Sequence, residues 1–178
     1  MKKIILISII VFTSAIGRAQ ESQSKLKFHS ATLGFGGFSF KKSNYEGSGG
    51  TFIADLTVAL DKNLISASYL GGSEIAILNE SEYKFDELSL LYGREWKAYD
   101  WLRFEGFAGI GYYKQQSDHN DVNSGYVVPT DKSISFPLRI NTKFYFTKKF
   151  GMGLNSNYSI NSVNNNFSTN LIFHYRFN

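Results

Sequence analysis

Apolar residues in this chain recur at every second position, and they do so in eight separate stretches. That period belongs to strands with one apolar and one polar face; a helix would repeat at about 3.6 residues. The longest stretch is Ile134, Phe136, Leu138, Ile140, Thr142, Phe144 and Phe146, interleaved with Ser135, Pro137, Arg139, Asn141, Lys143 and Tyr145. The C-terminal stretch runs Phe167, Thr169, Leu171, Phe173, Tyr175, Phe177 around Ser168, Asn170, Ile172, His174 and Arg176. Strands are expected at about 28–41, 51–60, 64–72, 83–96, 101–114, 133–146, 151–160 and 167–178. The first changes phase between Phe35 and Phe38, so a bulge is expected at Gly36-Gly37. No stretch carries an amphipathic helical pattern, and 178 residues suit one domain.

The joins alternate in length. Residues 61–63, 97–100 and 147–150 are tight turns, whereas 42–50, 73–82, 115–132 and 161–166 are longer and rich in Gly, Ser, Asn and charge. In an up-and-down meander, alternate joins lie at opposite ends, so the short ones share one end and the long ones the other. Short periplasmic turns and long external loops are the pattern of outer-membrane barrels. The expectation is an all-β chain forming an eight-stranded antiparallel up-and-down transmembrane β-barrel, with both ends of the mature chain in the periplasm.

Residues 1–19 read as an address. Met1-Lys2-Lys3 is basic, Ile4 to Phe12 is apolar apart from Ser8, and Gly17-Arg18-Ala19 puts small residues at −3 and −1 of a cleavage site. Even extended to Ile16, the apolar segment is short of the roughly 20 residues a spanning helix needs. The expected organisation is a signal peptide over 1–19, a periplasmic lead over 20–27 and an outer-membrane barrel over 28–178. Removing the leader leaves 16 basic and 15 acidic groups, which is no nucleic-acid footprint. The absence of cysteine excludes a disulfide scaffold, thiolate metal sites and a cysteine nucleophile. A mean hydropathy of −0.20 excludes a helical membrane protein but not a barrel, whose alternating residues cancel.

Alternation alone does not separate a membrane barrel from a soluble one with its apolar face inside. Three observations favour the membrane. The polar face is rich in small groups such as Ser66, Ser68, Ser89, Gly109, Gly111, Asn155 and Asn157, which suit a narrow lumen better than a solvated exterior. Most lysines lie in the lead, loops or turns, leaving chiefly Lys84 and Lys143 within strands. The apolar faces carry Phe52, Tyr92, Trp96, Tyr112, Phe144, Phe146, Tyr158, Phe167, Tyr175 and Phe177 towards strand ends, as interfacial girdles require.

On this pattern, with a last strand of alternating aromatics ending in Phe177, the chain resembles the small eight-stranded outer-membrane barrels, the OmpA/OmpX-like, porin-like group. The resemblance covers residues 28–178. It implies that the last strand is the signal read by the barrel-assembly machinery, although the final residue here is Asn178 and the aromatic is penultimate. Outer-membrane lipid is the implied surrounding and a monomer the expected state.

The polar phase holds Asp55, Glu87, Glu95 and Glu105 against Arg103, Arg139, Lys143 and Arg176. An eight-stranded barrel is just wide enough for side chains to fill it, so these groups are expected to pair and plug the lumen. The favoured function is a structural or surface-interaction scaffold whose long loop 115–132, with Tyr126, Val127 and Val128, meets an extracellular partner. One alternative is a small porin or channel lined by the same charges. A further alternative, a lipid A-modifying enzyme, is suggested by enzymes among the small barrels that the chain resembles and by the cluster Ser117-Asp118-His119-Asn120-Asp121. Those residue types suit a general-base relay, but neighbours in a loop do not make a triad. His29 and His174 belong to the opposite, periplasmic end. No catalytic residue, cofactor or metal is expected. The oxygen spacing of a calcium loop is missing, and 47–50 is followed by neither a Lys-Ser/Thr pair nor a helix.

Overall fold

The computed structural model describes residues 26–42, 45–74, 82–118 and 130–177. In chain order the strands are β1 (Lys27–Lys42), β2 (Tyr45–Leu60), β3 (Asn63–Glu74), β4 (Glu82–Lys97), β5 (Leu102–Asp118), β6 (Thr130–Tyr145), β7 (Phe150–Asn161) and β8 (Asn166–Arg176). Each pairs antiparallel with the next, and β8 pairs with β1 from Ser30↔Arg176 to Phe40↔Asn166, closing an eight-stranded barrel. Closure leaves no edge strand, so every ladder has a partner on both sides.

Period two in the sequence becomes two faces in space. Leu33, Phe35, Leu88, Leu90, Ile110, Ile134, Phe136, Ile140 and Phe173 point outward and are exposed. Inward lie Thr32, Asp55, Thr57, Ser66, Glu87, Glu105, Arg139, Asn141, Lys143, Asn155 and Asn170, all buried. This inverts a water-soluble protein, and an exposed apolar band of that extent marks a surface made for an apolar surrounding.

Three details depart from the sequence expectation. The bulge lies at the start of β1, where register shifts between Phe28 and Ser30, and not at Gly36-Gly37. It turns both His29 and Ser30 into the lumen. Beyond Ser30 the alternation is unbroken; what changes at Gly36-Gly37 is which face is apolar, because Phe38 and Phe40 point inward. Second, β2 begins at Tyr45, so most of the expected loop 42–50 is strand. Gly47 and Gly49 are seats for rings, not turn residues: they face Phe40 and Phe38 across the ladder, and a Cβ on Gly47 would lie 2.4 Å from the Phe40 ring. Third, β5 runs to Asp118 and β6 starts at Thr130, shortening the longest join.

Strands β7 and β8, of 12 and 11 residues, fit the roughly 9–11 residues of a tilted crossing. At 16 or 17 residues, β1, β2, β4, β5 and β6 are longer. In β2, β4, β5 and β6 the excess stands at the loop end, because the tight turns fix the other.

Candidate functional site in the barrel lumen and at its rims

The lumen is filled in layers. Nearest the turns, Glu95 accepts from Arg103 Nη1 at 2.6 Å and lies 3.4 Å from Arg176. The β1 bulge brings His29 Nε2 within 3.4 Å of Glu95 and 3.8 Å of Glu105. Lys143 donates to Glu105 at 2.7 Å, and Asn141 donates to its other oxygen at 2.9 Å. An amide ladder continues from there: Asn155 donates to Asn141, Asn170 to Asn155, and Thr51 to Asn170. His174, also buried, stands edge-on to the Tyr145 ring, with centroids 4.5 Å apart.

Further along, Arg139 donates from Nη1 to Asp55 and from Nη2 to Ser68, both at 2.8 Å. Asp55 on β2 thus meets Arg139 on β6 across the lumen, and not along a shared ladder. Glu87 accepts from Ser89 and Ser135 at 2.9 Å and from Ser159, with no cation paired to it among the described residues. Three hydroxyls therefore do for Glu87 what bases do for the other acids.

The layer nearest the loops was missed in the sequence. Phe38, Phe40, Tyr83, Phe85 and Tyr113 form a buried aromatic cluster with Ile53, Leu70 and Ile172. Tyr83 stacks on Phe40 at 4.2 Å, and Phe85 on Tyr113 at 5.7 Å. The join between β7 and β8 tucks in above it: Val163 packs on the cluster, while Asn164 donates to Tyr83 and Gln115. The visible signal was apolar residues in both phases, Tyr112 beside Tyr113 and Phe85 out of step with Leu88.

All eight singled-out charged residues thus lie in the lumen, in three groups: Glu95 with Arg103 and Arg176, Glu105 with Lys143, and Asp55 with Arg139, while Glu87 stands apart. His29, Glu95 and Glu105 present ligand atoms within 4.8 Å of one another. Both carboxylates are already held by Arg103, Arg176 and Lys143, and three positive charges beside them oppose a metal ion.

On the outer surface, Trp96, Phe144, Phe146 and Phe177 are exposed and Tyr175 half-buried near the turns. Phe52, Tyr112, Tyr158 and Phe167 are exposed nearer the loops, and Tyr92 lies part-way along β4. Phe28, Tyr99, Trp101 and Phe150 add to the turn end: Trp101 stacks on Tyr99 and Phe144, and Phe28 meets Phe177 edge-on. In the β4–β5 turn, the ion pair to Lys97 holds the Asp100 carboxyl below the usual carboxylate range. His119 and residues 119–129, on which the relay and the partner-binding loop rest, lie outside the described residues.

A closed eight-stranded barrel, apolar outside and polar within, defines the class: the fold is that of the small outer-membrane barrels. No family model and no curated protein matches the sequence. Solved structures do. The crystal structure of Ail, the attachment invasion locus protein of Yersinia pestis, in complex with the heparin analogue sucrose octasulfate, is similar at a TM-score of 0.63 and 14% identity, over 85% of this chain and 99% of that one. Neisserial surface protein A aligns at a TM-score of 0.73 and 8% identity, over 86% and 99%. The N-terminal β-barrel domain of Pseudomonas aeruginosa OprF aligns at 0.58 and 12%, over 86% and 100%.

Proposed function

We propose that the chain is an integral outer-membrane protein, exported by residues 1–19, that acts as a rigid scaffold presenting its loop end to an extracellular partner. The observation that carries this reading is the filled lumen. Ion pairs, an amide ladder, a serine-bound carboxylate and an aromatic cluster occupy it in succession. A barrel so filled is a support, and loops on a rigid support carry recognition. That Ail, a barrel of similar fold, was solved in complex with a heparin analogue fits a binding role for such a barrel. The proposed barrel is a monomer in lipid, inserted by the barrel-assembly machinery, and not an enzyme.

Planar-bilayer recording of the refolded protein tests the plug. Bilayers that have taken up the protein are expected to stay silent across the voltage range the membrane tolerates. Steady unitary currents would show an open path through the charged layers and favour the channel.

A further inference from the structure

Four strand bases, Arg103, Arg139, Lys143 and Arg176, face the lumen and pair with carboxylates. Arg94 does the opposite. It sits on β4 three residues from the turn, points outward, and is paired with no carboxylate among the described residues. Its ladder neighbours are Asn63 on one side and Gly106 on the other. Gly106 is bare because the Trp96 ring lies over it: a Cβ there would come 3.1 Å from Trp96 Cζ3.

From Arg94 and Asn63 a groove of about 820 Å³ runs over the outer surface, its lining including Gly106, Ala108 and Ser156 and extending to Tyr158 on β7. Gly106, Ala108 and Ser156 are small residues on the outward phase of β5 and β7, set among the larger Phe104, Ile110, Met152 and Leu154. The groove follows the ladder Tyr92↔Ala108↔Leu138↔Tyr158 and, because barrel strands tilt, climbs from the turn end towards the loop end. A second outer groove of about 710 Å³ crosses β1 to β4 at Ala31, Ala54 and Ala67, with Leu33, Leu56 and Leu88 among its other lining residues, and has no basic residue in its lining.

We propose that the Arg94 groove binds one anionic phospholipid of the turn-side leaflet, phosphate on Arg94 and Asn63, one acyl chain along Gly106, Ala108 and Ser156. The chemistry is matched at both ends. A guanidinium takes phosphate oxygens in pairs, and it stands beside an interfacial indole at headgroup depth. Small side chains on the strands leave the depression a hydrocarbon chain fills. Charge separates this groove from its Ala-lined counterpart, so it is the net-negative headgroup that is selected. The site rests on the membrane reading, and the test keeps the two apart.

The protein is reconstituted into nanodiscs of phosphatidylcholine and phosphatidylglycerol in equal parts, released into gentle detergent and weighed by native mass spectrometry. The wild type is expected to retain one lipid, phosphatidylglycerol over phosphatidylcholine by about fivefold, the factor one basic side chain at an anionic surface supplies. Arg94→Gln should bring that ratio to about one. Ala108→Phe, which fills the groove, should lose both lipids, while Ala54→Phe in the other groove should retain phosphatidylglycerol as the wild type does. A wild type that enters nanodiscs but keeps no lipid, or keeps both equally, overturns the site. So does an Arg94→Gln variant with its preference intact, or an Ala54→Phe variant as empty as Ala108→Phe. Failure to enter nanodiscs at all would instead overturn the membrane reading.

Discussion

Arg139→Leu is expected to destabilise the barrel by about 3–5 kcal/mol, the range for removing one partner of a buried ion pair. Asp55, 9% exposed, would lose the Nη1 donor at 2.8 Å, and Ser68 would lose its partner as well. Nothing among the described residues replaces them, because the other lumen bases are engaged at Glu95 and Glu105. The cost is the carboxylate left behind, so Asp55→Leu added to Arg139→Leu should recover much of it. Urea unfolding in detergent micelles, with Lys132→Leu on the exposed part of β6 as a control, reads the difference. If Arg139→Leu and Lys132→Leu match, the lumen is wet and its ion pairs carry no stability.

Gly36→Val is the second large effect, and it acts on the closing seam. Gly36 lies opposite Asn170 in the β1–β8 ladder, and a Cβ there would lie 2.0 Å from the Thr169 carbonyl oxygen and 2.6 Å from Asn170 Cα. Both are backbone atoms, so no rotamer relieves the contact and the strands must part. Overpacking usually costs about 1–3 kcal/mol, and a clash with backbone at the seam should reach at least the top of that range. The neighbouring Gly37 is the control: a Cβ there meets nothing nearer than the Gly49 carbonyl oxygen at 3.4 Å. Gly36→Val should fold in poor yield with a lowered urea midpoint, and Gly37→Val like the wild type. Equal midpoints would show that β1 and β8 do not close in this register.

The pair Gly36-Gly37 also shows how far the sequence could be read. Period two and the alternation of long and short joins place all eight strands and predict an apolar outer face, because each strand reports its two faces independently of the others. The lumen's long-range partners are another matter. Arg139 finds Asp55 from four strands away and Glu87 finds Ser159 from three, distances set by tilt and closure and not by neighbours in the chain. The inner aromatic cluster hid for a different reason: alternation assigns a face by its average, and Phe38, Phe40, Phe85 and Tyr113 invert that average only at the loop end. Phe38 and Phe40 lie opposite Ser168 and Asn166 at the loop end of β8, so the inversion is local and an average over the whole strand conceals it. The His29 bulge left no mark in the pattern, since a single extra residue at the start of β1 resembles a strand beginning one position later.

Whether the outer face of this barrel meets lipid is read by tryptophan fluorescence. The chain has two tryptophans, and Trp96 and Trp101 are both exposed on the outer surface at the turn end. In vesicles of lipid brominated on the acyl chains, emission should be quenched strongly when the bromines lie just below the headgroups and weakly when they lie at the bilayer centre. Emission unchanged by bromine at either depth would mean that these indoles face water, and that the apolar surface is not a membrane surface.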